Sequence, residues 1–200
     1  ERCAMNLPNI LTVSRLFLAF VLIPLIVCDI PFGKSVALVL FVLGGITDYL
    51  DGHLARNVYG TTAFGKLMDP VTDKVMVCAA FVSFVELQLV KAIVVVVIIS
   101  REFIVTGLRL LALNEGKVIA AGAWGKHKTI WQIVAVAIIL LGLSIQYDIL
   151  PHRNPALLSD FCRAFGTVAH LLSIAVALLT VVSGCMYLYQ HRALCLSDLQ

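Results

Sequence analysis

Six apolar runs, each about as long as one bilayer crossing, leave this chain few folds to choose from. They cover about residues 11–27, 35–54, 69–89, 92–113, 129–145 and 167–189. Inside lipid every backbone N–H and C=O must be paired within the spanning structure, which only helices and closed barrels achieve. Runs of roughly 20 residues fit helices, because a barrel strand needs only about 9–11. The 200 residues are 60% hydrophobic and only 14% charged, against about 25% charged in a soluble domain, and the mean hydropathy is +0.98. The expected fold is an all-α integral membrane protein of six transmembrane helices. Asn6-Leu7-Pro8-Asn9 suits a bend and supplies a short N-terminal interfacial segment. Residues 1–200 read as a single membrane-embedded domain, too fully committed to spans to carry a separate soluble one.

The first run exceeds a signal-peptide core, contains Pro24 and is followed by further spans, so it reads as a retained helix. The four residues before Met5 read as an extension. Breaks are expected at Asp29-Ile30-Pro31-Phe32-Gly33, Gly60-Thr61-Thr62, Asn114-Glu115-Gly116 and Pro151-His152-Arg153-Asn154-Pro155. Alternate connections differ in basic charge. One side holds Arg2, Arg56, Lys66, Lys117, Lys126, Lys128 and Arg192, the other Lys34, Lys91, Arg153 and Arg163. The richer side is cytoplasmic by the positive-inside rule, which places both termini there. The net charge of +3 serves topology on this reading, and no nucleic-acid partner is expected. Cys3, Cys28, Cys78, Cys162, Cys185 and Cys195 show no metal or redox spacing and read as small packing residues.

Carboxylates are expensive at membrane depth, yet four gather in one hairpin. Asp48 and Asp51 are three residues apart, Asp69 and Asp73 four apart, so each pair shares a helical face. A turn near Gly60 brings the pairs into one cytoplasm-facing pocket. Four like charges in a partly dry site need cations. An all-oxygen donor set without His or Cys suits Mg²⁺, Mn²⁺ or Ca²⁺, and shared carboxylates suit two ions about 3.5 to 4 Å apart. Paired divalent cations imply phosphoryl chemistry. Gly52 and Gly65 would let a diphosphate approach the backbone, or equally serve helix packing. Arg56 offers a guanidinium fork to phosphate, or equally anchors topology. Pro70 fits the first turn of the third helix, unless that helix begins earlier.

The pattern D-x2-D-G-x2-A-R-x8-G-x3-D-x3-D, carried by Asp48, Asp51, Gly52, Ala55, Arg56, Gly65, Asp69 and Asp73, resembles that of the CDP-alcohol phosphotransferase family at every position. The resemblance implies that Asp48, Asp51, Asp69 and Asp73 hold two divalent cations, Mg²⁺ foremost and Mn²⁺ as alternative. It implies that Asp73 is also the general base and that Gly52, Ala55, Arg56 and Gly65 line the CDP site. The active site would lie mainly within 48–128.

A second polar cluster comprises Arg101, Glu102, Arg109, Lys126 and Lys128. Membrane-depth arginines in excess of acidic partners imply an anionic ligand, so the acceptor alcohol carries its own phosphate. Serine, choline and ethanolamine carry none. Lys126 and Lys128 also read as topology charges. The segments 5–15, 101–109 and 125–129 resemble bacterial phosphatidylglycerophosphate synthases within that family. This implies that CDP-diacylglycerol and sn-glycerol 3-phosphate are the substrates, with Arg101, Arg109, Lys126 and Lys128 on the acceptor phosphate. It implies a homodimer in the bacterial inner membrane, with its active site on the cytoplasmic side.

Inositol phosphate or phosphatidylglycerol remain alternative acceptors, the latter giving cardiolipin, and a divalent-cation transporter is the rival outside the family. After Gln146 no resemblance extends, and the last span reads as packing and scaffold. His53 reads as an exposed helix residue, His170 and Ser173 as a helix–helix hydrogen-bonding pair, Trp124 and Trp131 as belt anchors. Glu102 reads as the counter-charge of a neighbouring Arg or Lys, or as a substrate contact.

Overall fold

A computed structural model describes the backbone of residues 7–58, 63–114, 123–153 and 157–190, with side chains for 14–47, 72, 74–112, 128–151 and 157–190. These residues are helical apart from short turns, with no strand among them. The order is α1 (Leu7–Val27), α2 (Gly33–Val58), α3 (Ala63–Glu86), α4 (Ala92–Asn114) and α5 (Ala123–Ser144), a π-helical turn (Ile145–Ile149), α6 (Leu150–Arg153) and α7 (Leu158–Gln190). Among the described residues two stretches, Lys128–Ile149 and Leu158–Gln190, are long and apolar enough to cross a membrane. At 33 residues, α7 runs about 50 Å, longer than a hydrocarbon core of about 30 Å.

Several boundaries differ from expectation. Leu7, Pro8 and Asn9 form the first turn of α1, where the missing proline N–H has no intrahelical partner to lose. They are therefore not a separate interfacial lead-in, and Asn6 and earlier residues lie outside the described set. The third helix starts at Ala63, so Pro70 lies inside it rather than in its first turn. Of the break expected over Pro151–Pro155, residues 151–153 are still helical, because the chain passes through the π turn and α6 to Arg153, and 154–156 lie outside the described residues. Likewise α7 begins at Leu158, well before Thr167. Arg56, Lys66, Lys126 and Lys128, counted above as loop charges, all lie within helices.

α1 packs on α2 and α3, α2 on α5, α3 on α4, and both α4 and α5 on α7. Leu22, Ile26, Phe41, Phe81, Phe84, Ile98, Ile139, Leu140 and Leu143 fill the core. Small residues set the closest approaches, as expected where lipid is as apolar as the core. A Cβ at Gly44 of α2 would meet Met76 of α3 at 2.9 Å and Leu18 of α1 at 3.1 Å, and one at Gly142 of α5 would collide with the Phe165 ring of α7. Phe17, Phe20, Val39, Leu43, Phe103, Leu171 and Leu178 point outward. Apolar exposure on this scale fits contact with lipid.

At the start of α2 the polar groups are capped from a distance. The Ser35 N–H and hydroxyl donate to Asp148 Oδ2 at 2.8 and 2.6 Å, and the Ser35 and Ser144 hydroxyls lie 2.6 Å apart. Asp148 sits on the π turn, whose extra residue re-aims side chains relative to an α-helix, and it satisfies an otherwise orphan donor of α2. Beside it, buried Lys34 donates to the Cys28 carbonyl at 2.6 Å and sits 5.0 Å from the Tyr147 ring centroid.

Candidate active site

The aspartate pairs fall on α2 and α3 as their spacing requires. Asp48, Asp51, Gly52, Ala55 and Arg56 belong to α2, and Gly65, Asp69 and Asp73 to α3. Their side chains lie outside the described residues, as does that of Lys126 on α5. Residues 59–62 alone separate the two helices, a connection that spans at most about 17 Å. Further along, the Met76 side chain of α3 reaches Gly44 of α2. Among the described residues no group of three or more His, Cys, Asp or Glu could hold a metal ion. The donor chemistry of the four aspartates, hard carboxylate oxygens on two adjoining helices, fits Mg²⁺ or Mn²⁺.

The basic cluster is fully visible at its centre. Glu102 of α4 is buried, and three cationic groups converge on it. Lys128 of α5 forms an ion pair with Oε1, Lys74 of α3 lies 3.5 Å from Oε2, and Arg101 Nη1 lies 3.5 Å from Oε1. Gln132 of α5 donates to Oε1 at 3.4 Å and lies equally far from the Thr180 hydroxyl of α7. Lys74 also donates to the Thr106 hydroxyl, which donates to the Glu102 carbonyl at 2.7 Å. One carboxylate thus ties α3, α4 and α5 together, with α7 joined through Gln132. Glu102 has the cationic neighbours that the counter-charge role read from sequence requires.

The arrangement leaves donors over. Arg101 Nε and Arg109 Nε are buried without a hydrogen-bond partner among the described residues. Buried N–H groups are almost always satisfied, and a guanidinium accepts nothing, so unpaired donors of this kind suit an anion. The two arginines lie on one helix, eight residues or about 12 Å apart along its axis. Lys128 pairs with Glu102, and Arg101 and Arg109 each have an Nε donor without a partner among the described residues. Lys74 adjoins Asp73 in sequence, so the backbone of Asp73 is one residue from this cluster. Sequence reasoning missed Lys74, although its place beside Asp73 was a readable signal.

Reading the last span as scaffold alone is also corrected. Ser183 of α7 accepts a hydrogen bond from Arg101 Nη2 at 2.9 Å, and Gly184 lies directly against the Arg101 side chain. The expected interhelical pair at His170 and Ser173 does not form, because the Ser173 hydroxyl donates at 2.8 Å to the carbonyl of His170 within its own helix. Trp131 is half-exposed, consistent with a belt position. Cys28, Cys78, Cys162 and Cys185 are free thiols.

The family model described as CDP-alcohol phosphatidyltransferase matches residues 5–182. A Bacillus subtilis protein described as CDP-diacylglycerol–glycerol-3-phosphate 3-phosphatidyltransferase is 40% identical over 194 residues, covering 91% of this chain and 93% of its own. A Haemophilus influenzae protein of the same description is 34% identical over 199 residues, 98% of each chain. One from Rickettsia bellii is 38% identical over 138 residues, 68% of this chain and 76% of its own. With a match across both polar clusters and nearly the whole helical framework, the chain belongs to the CDP-alcohol phosphatidyltransferase family.

Proposed function

We propose that this protein transfers the phosphatidyl group of CDP-diacylglycerol to sn-glycerol 3-phosphate, releasing CMP. The observation that carries the acceptor assignment is the pair of buried Nε donors on Arg101 and Arg109 without a partner among the described residues, on the helix whose Glu102 meets Lys74, the neighbour of Asp73 on α3. Relatives matched over nearly their full length carry that activity in their descriptions.

In this reading Asp48, Asp51, Asp69 and Asp73 hold two divalent cations, Mg²⁺ or Mn²⁺. When bound, these supply charge neutralisation at the diphosphate and to the departing CMP. Gly52, Ala55, Arg56 and Gly65 line the CDP site. Asp73 takes the proton from the 1-hydroxyl of glycerol 3-phosphate. That oxygen bonds to the phosphorus bearing the diacylglycerol, and the phosphorus–oxygen bond to CMP breaks. Arg101 and Arg109, with Lys126, bind the acceptor phosphate, and Lys128 acts on it at one remove by balancing Glu102. Six helices span the bacterial inner membrane with both termini and the site on the cytoplasmic side, where both soluble partners arrive. Lipid tails enter between helices, and two copies assemble as a homodimer.

The test is CMP release by detergent-purified protein given CDP-diacylglycerol and Mg²⁺, with glycerol 3-phosphate, inositol phosphate or phosphatidylglycerol as acceptor and EDTA as control. Release with glycerol 3-phosphate alone, abolished by EDTA, is expected. Release with another acceptor overturns the reading of Arg101 and Arg109 while keeping that of the aspartates. Metal flux into liposomes without any CMP release would instead establish a transporter.

A further inference from the structure

The Arg101 side chain is held by the last helix in two independent ways. A Cβ placed on Gly184 would lie 2.8 Å from Arg101 Cγ, 3.3 Å from Nε and 3.7 Å from Cδ. Cγ is the middle of the stem and not its free end, so any side chain larger than hydrogen at 184 forces the whole guanidinium to move. Next to it, the buried Ser183 hydroxyl takes a hydrogen bond from Nη2 at 2.9 Å. Glu102 lies 3.5 Å from Nη1 on the same guanidinium. With the stem in a notch and both terminal nitrogens engaged, the plane of the fork is set. The Nε–H has no partner among the described residues.

We propose that Ser183 and Gly184 are positioning residues for the phosphorylated acceptor, Gly184 by forming the notch that admits the Arg101 stem and Ser183 by fixing the rotation of its guanidinium. This deepens the function proposed above and rests on it, since the ligand whose affinity they set is the phosphate of glycerol 3-phosphate. A flexible arginine loses rotamer entropy on gripping an anion. An arginine already locked by α7 has lost it on folding, which is preorganisation for binding. The alternative role for a small pair at this place is close packing of α4 on α7. Packing alone predicts loss of stability and a uniform loss of activity, without preference for one substrate.

The experiment is steady-state CMP release by full-length protein in detergent, varying each substrate in turn, for Gly184→Ala, Ser183→Ala and Ser183→Thr. Positioning of Arg101 by a charge-assisted hydrogen bond and a steric notch predicts that KM for glycerol 3-phosphate rises about 10-fold in Gly184→Ala and about 5- to 10-fold in Ser183→Ala. KM for CDP-diacylglycerol stays within about 2-fold of wild type in both, and Ser183→Thr, which keeps the hydroxyl, restores most of the affinity. Ser183→Ala adds no bulk, so it tests the idea even where Gly184→Ala fails to fold. Equal shifts in both KM values, or an unchanged KM for glycerol 3-phosphate in Ser183→Ala, overturn the inference and leave the proposed function standing. Wild-type release that ignores glycerol 3-phosphate overturns both together.

Discussion

Changing Glu102 to Gln keeps the shape of the side chain and removes its charge, leaving the ammonium of Lys128 to face an amide. The two side chains are 8% and 3% exposed, so water cannot take over the lost partner. Removing one member of a buried ion pair costs about 3–5 kcal/mol. Lys74, 3.5 Å from the carboxylate, has a side chain 32% exposed and adds little to that cost, while Arg101, also 3.5 Å away and 13% exposed, keeps its hydrogen bond to Ser183. Hydrogen bonds between membrane helices are worth only about 0.6–1.7 kcal/mol, which favours the lower end, near 3 kcal/mol. For a chain of this size 1 kcal/mol shifts Tm by about 2–4 °C. Thermal unfolding of detergent-purified Glu102→Gln should then show a Tm about 6–12 °C below wild type. The double variant Glu102→Gln/Lys128→Met removes both charges and should recover most of the loss, because a pair replaced as a pair is often neutral. A single variant within about 2 °C of wild type would refute the buried-pair argument. So would a double variant no more stable than the single one.

Three further outcomes are expected. Asp73→Asn should abolish CMP release while CDP-diacylglycerol still binds in equilibrium dialysis, and turnover near wild type would remove Asp73 as the base. Asp148→Ala should cost about 1–2 kcal/mol by uncapping the start of α2, read as a lowered Tm, with Asp148→Asn losing less because its amide oxygen still accepts. A reporter fused after Gln200 should be active only in the cytoplasm, and activity on the other side would invert the topology.

Much of the candidate site is legible in the sequence because its spacing is local. Carboxylates three and four residues apart on a helix share a face whatever else the chain does, so Asp48, Asp51, Asp69 and Asp73 could be paired from spacing alone. Arg101 and Arg109 could likewise be assigned to one helix, and their charge at membrane depth already implied a partner or a ligand. Helix ends were less legible, since Pro70 and Pro151 look like boundaries in sequence yet lie within helical stretches. A proline costs about 3 kcal/mol in a helix interior, which packing of long apolar helices can offset.

The sequence by itself determined the material of this protein: apolar helices, two pairs of aspartates at helical spacing, and a basic cluster around Glu102. Only the tertiary structure decided how that charge is shared out. Lys128 is spent on Glu102 and Gln132 reaches the same carboxylate across 30 residues, while Arg101 keeps a free donor because Ser183 and Gly184, on a helix 82 residues away, hold the rest of its side chain. Periodicity fixes which residues share a helical face. Which faces meet depends on how the helices pack against one another, and no spacing along the chain encodes that.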